Sequence, residues 1–159
     1  MPTETVVNPS SFATTFALTM MVAMLLHYFV ERWLLNRHLN CVASWRDEVP
    51  EPFADRIELS DHQRAADYTL AKGKLGKVEA AVGLIVSALI LFGGLSRMWN
   101  FTAPLADMPV LREVALVTLL SVVTGVISIP FSYFSTFNIE EKFGFNKTTR
   151  ATFWADLVK

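Results

Sequence analysis

Three histidines and a single cysteine are the side chains of this 159-residue chain best suited to metal chemistry, and their spacing argues against a zinc site. His38 and His62 stand 24 residues apart, and no His-Glu-x-x-His sequence occurs. That arrangement puts two zinc ligands one helical turn apart with a glutamate between them. Cys41, being alone, excludes an intramolecular disulfide and a cysteine-rich metal site. Tyrosines aside, His27 is the one ionisable side chain well inside an apolar run; beside Glu31 and Arg32 it reads as an interfacial histidine. Glu79 and Glu113 border apolar runs and read as boundary charges, so no proton-carrying array of acids and bases is assembled. No Gly-rich phosphate loop, Ser-His-Asp arrangement or aromatic-basic nucleic-acid surface stands out.

The most distinctive segment is the tail, PFSYFSTFNIEEKFGFNKTTRATFWADLVK, from Pro130 to Lys159. Pro130 removes an intrahelical hydrogen bond; it is expected to kink or end a helix near Ile129, and ending is preferred. Asn138, Ile139, Glu140 and Glu141 can then cap a short helical turn, which Gly144 stops. Phe143 and Phe145 bracket that glycine. Thr148 or Thr149 caps a final helix with Phe153, Trp154 and Leu157 as its apolar stripe. Asn146-Lys147-Thr148 fits a glycosylation acceptor, although cytoplasmic placement argues against its use.

Three apolar stretches must position these residues: Thr5 to Val30, Ala80 to Ser96 and Val114 to Ile139. About 18 uncharged residues suffice to cross a bilayer core as a helix, so the first and third qualify readily and the second is marginal. Hydrophobic residues make up 52% of the chain and mean hydropathy is +0.37. The expected fold class is all-α, a polytopic membrane protein with spans near 12–34, 78–96 and 112–134 and a helical cytosolic loop over 35–77. The N-terminus MPTETVVNPSS carries no Lys or Arg, so the first run reads as a retained span rather than an export signal. Formal charge is −1, from 14 basic and 15 acidic residues, which gives no case for a nucleic-acid partner.

Arg32, Arg37, Arg46, Arg56, Arg64, Lys72, Lys74 and Lys77 crowd the segment after the first span, whereas the connection from Arg97 to Arg112 holds only those two. Positive-inside counting puts the long loop and the C-terminus in the cytoplasm and the N-terminus outside. Pro50 and Pro52 mark an extended entry into the loop. Ser60 to Gln63 has capping-box spacing and should open a helix that runs on into the second span. Gly73 and Gly76 each weaken that continuity by roughly 1 kcal/mol, and two helices broken near Gly73 is the alternative. Gly83 and Ser87, four apart, permit a close helix contact. Trp99, Phe101 and Pro104 suit an interfacial anchor.

Beyond these patterns, the stretch carrying Pro130, Phe131, Tyr133, Thr136, Phe137, Ile139, Glu140, Phe143, Gly144, Phe145 and Asn146 resembles the N-terminal membrane region of CAAX prenyl endopeptidases, peptidase family M48. Phe153, Asp156 and Lys159 continue the likeness. Upstream, Val49-Pro50, the stretch from Gln63 to Tyr68, and Lys72 are similar to that family's first cytosolic loop.

The resemblance implies a membrane-embedded zinc metalloendopeptidase whose complete form takes its metal ligands from a His-Glu-x-x-His helix and a downstream glutamate. None of these can be placed here, so this chain is expected to hold no catalytic or metal residue. It is expected to end before them and to be inactive alone. Its implied partners are the bilayer, the remaining catalytic region and a membrane-associated peptide or protein substrate. The implied location is a bacterial inner membrane or the endoplasmic reticulum. Candidate support or substrate-adjacent residues are Pro130, Asn138, Glu140, Glu141, Phe143, Gly144, Phe145 and Asn146, with packing preferred over substrate contact. An independent membrane scaffold without protease activity is the alternative. A small transporter fits less well, for want of coupled polar sites within the spans.

Overall fold

A computed structural model describes residues 9–158, and side chains over 11–157. The described chain is helical, with no strand. Helix α1 is Pro9–Ser44, α2 is Leu59–Leu89, α3 is Leu95–Phe101, α4 is Pro109–Phe134 and α5 is Arg150–Val158. Wide π turns occupy Ile90–Gly94 and Ser135–Glu140, and 3-10 turns occupy Glu51–Phe53 and Ala103–Leu105. Among the described residues, three helical runs are long and apolar enough to cross a membrane: Ser11–Ser44, Leu59–Phe101 and Pro109–Glu140.

The marginal second run gains its length at both ends. Its charged lead-in is one helix with it, as preferred from the sequence, and neither Gly73 nor Gly76 breaks α2. The capping box does not form. Helix α2 begins a residue earlier, with the amides of Asp61 and His62 donating to the Glu58 carbonyl, and Gln63 reaches Asp47 instead. Helix α1 also runs ten residues past the expected span end at 34, through Arg37 and His38 to Ser44.

Pro130 does not end the third run, which corrects that expectation: it lies within α4 and helix continues beyond it. A proline removes one amide and crowds the carbonyl four residues back, and a long apolar helix absorbs that by local adjustment. Nor do Asn138 to Glu141 start a separate turn; they lie within the same run. Hydroxyls inside the apolar runs are turned back on their own helix, with Thr15, Thr19, Thr118 and Ser128 each donating to the carbonyl four residues earlier. Each of these four donors is thereby satisfied where lipid offers no acceptor.

The chain divides into two compact units. One comprises the described residues up to Trp33 together with Ala80–Val122; the other is Leu34–Glu79 with the chain from Val123 onward. In the first, the amide of Leu95 reaches the Ile90 carbonyl across the wide turn. The Arg112 guanidinium lies 3.7 Å from the Trp99 ring centre and donates to the Trp99 carbonyl at 3.1 Å. Phe101 is 76% exposed, which suits an anchor in an interface. A Cβ at Gly83 would meet nothing within 4 Å, so no close helix contact forms there.

The second unit buries Leu39, Ala66 and Ile139. A Cβ on Gly73 would come 2.5 Å from the Leu39 Cδ2, so the glycine that weakens the helix locally is what lets Leu39 seat against it. Arg46 locks the end of α1 to α2: Nε and Nη2 bond the two Asp67 oxygens at 2.7 and 2.9 Å, and Nη1 bonds Asp47 at 2.6 Å. His62 Nε2 lies 2.7 Å from the Trp45 carbonyl.

Candidate functional site

Within the second unit, a lysine of α2 meets the wide turn that follows α4. Lys72 Nζ donates to Ser135 Oγ at 2.6 Å and to Glu140 Oε1 at 3.0 Å. Ser135 Oγ donates to the same carboxylate at 3.3 Å. The wide turn explains this convergence. At about 100° per residue, an α-helix sets positions i and i+5 roughly 140° apart; a turn closed by i→i+5 bonds carries both to one side. The Glu141 amide donates to the Thr136 carbonyl in that pattern. Glu79, Ser128, Ser132 and Thr136 complete a polar cleft of about 460 Å³ around the triad.

A serine beside a lysine invites comparison with a nucleophile and its base. Here Lys72 Nζ donates to both Ser135 and Glu140, and Ser135 in turn donates to Glu140. The arrangement is a charge-assisted joint between α2 and the end of the third run.

The aromatic residues extend the joint. Tyr68, one turn before Lys72, packs edge-on against Phe143 and Phe145, with ring centres 5.8 and 4.8 Å apart. Gly144 lies between them at φ 76°, where an L side chain is strained. The Phe145 amide donates to the Glu140 carbonyl and the Gly144 amide to the Glu141 carbonyl, the paired bonds of a Schellman end, and the Asn146 amide also reaches Glu140. Gly144 therefore stops the helix as the sequence predicts. Asn146 Oδ1 accepts from the Thr148 amide at 2.7 Å, and Thr149 Oγ1 caps α5 by accepting from the Thr152 amide at 3.1 Å. Phe153 of α5 packs against Tyr133 and Phe137, both at 5.6 Å.

Of the candidate residues, Glu140, Phe143, Gly144 and Phe145 come together against α2. Asn138 lies apart from the polar cleft and lines a neighbouring apolar hollow with Ile139 and Phe143. Pro130 and Glu141 are exposed, and neither lines the cleft. Ser135 and the Arg46–Asp67 clamp were missed in the sequence, because nothing local marks a partner 21 or 63 residues away. The Arg46 hydrogen bonds hold the Asp67 carboxyl below its ordinary value, and Lys142 adds to that through space.

The histidines remain apart from this joint. His38 and His62 share a hollow with Cys41, and His27 lies 3.5 Å from Glu31. Among the described residues, no three His, Cys, Asp or Glu side chains group closely enough to hold a metal. The described residues do not fit a zinc site.

Fold and site together define a helical membrane-protein segment, its long apolar runs joined through a polar and aromatic seam at one end. The chain belongs to the CAAX prenyl protease N-terminal family, described by five membrane helices, which matches residues 38–159. It is 31% identical over 128 residues to the probable CAAX prenyl protease 1 of Schizosaccharomyces pombe, covering 72% of this chain and 27% of that protein. The CAAX prenyl protease 1 homolog of Arabidopsis thaliana is 29% identical over 155 residues, with 92% and 36% covered. The crystal structure of S. mikatae Ste24p shares the fold at a TM-score of 0.79 and 23% identity, with 89% of this chain and 34% of that one covered. The chain thus spans about a quarter to a third of the length of these relatives.

Proposed function

We propose that this chain is the noncatalytic membrane-embedded part of a zinc metalloendopeptidase of the CAAX prenyl type, supporting substrate access and the catalytic region. The observation that carries the reading is the Lys72–Ser135–Glu140 joint with its Tyr68–Phe143–Phe145 extension. It ties together the two stretches that carry the family resemblance, and its chemistry is that of a brace rather than of bond cleavage. In this reading the runs cross the bilayer, with the N-terminus outside and the loop and C-terminus cytoplasmic, in an inner membrane or the endoplasmic reticulum. Zinc and its ligands come from the rest of the protease, and the substrate is a membrane-associated peptide or protein.

The test is proteolysis by this chain alone, purified with stoichiometric zinc and offered a prenylated peptide. No cleavage is expected. Zinc-dependent cleavage would show that a metal site lies within the chain and would overturn the noncatalytic assignment.

A further inference from the structure

A second cavity, of about 510 Å³, lies beside the polar cleft and differs from it in character. Its apolar wall includes Val78 of α2, Phe134 at the end of α4 and the buried Ile139. Val78 and Phe134 are 56% and 46% exposed, large apolar groups that no side chain of the described unit covers. Lys74 and Lys142 stand on its border. The helices run in opposite senses, so the order along each one matters. On α2, Lys74 precedes Val78 and lies toward the loop; on the third run, Lys142 follows Phe134 and lies toward the tail. Both cations therefore fall at the end of the hollow where the apolar runs give way to charge, with the apolar wall toward the span.

Among the described residues, neither Lys74 nor Lys142 forms an ion pair within 4.0 Å. The ion pairs of this unit include Arg46–Asp47, Arg46–Asp67, Arg64–Asp61 and Lys72–Glu140. Lys142 lies 5.5 Å from the Phe143 ring centre. Asp67, the carboxylate that feels the charge of Lys142, is already held by two guanidinium hydrogen bonds.

We infer that this hollow is a binding site for an anionic phospholipid of the surrounding bilayer. The acyl chain lies along Val78, Phe134 and Ile139, and the phosphate and headgroup sit between Lys74 and Lys142. An amphiphile with its anion at the interface and its tail toward the span matches the order of chemistry along both helices. The site rests on the membrane-spanning reading given above.

The test is lipid retention by the full 159-residue chain, reconstituted in vesicles of equal phosphatidylserine and phosphatidylcholine and then extracted in mild detergent. Vesicle flotation is scored first. Phosphatidylserine is expected to be retained in excess, and a lysine near an anionic surface contributes about 1 kcal/mol, so each of Lys74→Gln and Lys142→Gln should lower that excess roughly fivefold. Lys74→Arg should keep it, and Lys147→Gln, outside the hollow, should leave it unchanged. Far-UV circular dichroism checks that each variant is folded. Equal retention of the two lipids by a chain that floats, or an equal loss in Lys147→Gln, overturns the site while leaving the membrane reading intact. A chain that does not float overturns both.

Discussion

A lysine, a serine and a glutamate carry most of what distinguishes this chain. Lys72 and Glu140 are 40% and 27% exposed, so their pairing is screened in part, and a coupling of about 1 kcal/mol is expected from a double-mutant cycle of Lys72→Met and Glu140→Gln. The measurement is unfolding of the detergent-solubilised chain; strictly additive losses would show that the two do not interact. Asp67 adds a pH dependence with a definite sign. Its carboxyl is held below the ordinary 3.8 in the folded chain, so its contribution is complete above that value and is lost as pH falls through the lowered one. Unfolding followed from about pH 5 downward should show the native chain losing stability more steeply than Asp67→Asn. Equal slopes would mean that the clamp to Arg46 adds nothing.

The helices show how propensity yields to packing at some positions and not at others. Gly76 faces open space, so Gly76→Ala should stabilise α2 by up to about 1 kcal/mol in denaturant titrations. Gly73→Ala should fail to do so, because its new methyl meets the buried Leu39; an equal gain from both would contradict the seating of Leu39. Gly144→Ala should lose about 1 kcal/mol from backbone strain alone, since its added Cβ has room. Much of this framework was legible in the sequence. The uncharged runs located the three long helices, the pair Thr148 and Thr149 marked the start of α5, of which Thr149 is the cap, and the glycine between two phenylalanines marked a stop. Pro130 misled because a rule learned from water-exposed helices weighs less in a long apolar one. The capping box misled because Glu58 opens the helix before Ser60 can. The expected span ended near residue 34, whereas α1 runs on to Ser44, because charge ends a span and not a helix. The Lys72–Glu140 joint could not be read from pattern at all: its partners are 68 residues apart, and a wide turn has no sequence signature comparable to a cap. Only the family resemblance drew attention to both stretches.

At the scale of the whole molecule, the three apolar runs place this family member's segment in a lipid environment, and the proposed topology sets its loop on the cytoplasmic side. Cys41 is the sole thiol and is exposed, which makes it a clean reporter. In intact membranes it should resist an impermeant thiol reagent applied from outside and react once the cytoplasmic face is opened; labelling from outside would invert the topology. The seam joins α2 to the end of the third run through Lys72 and Glu140, and the proposed noncatalytic role makes it a brace for a zinc-bearing region supplied by the rest of the protease. That relation is most directly tested by reading the source transcript past the codon for Lys159. Continuation of the frame into a His-Glu-x-x-His helix and a downstream glutamate is expected, and a stop codon directly after Lys159 would contradict the assignment to a metalloprotease.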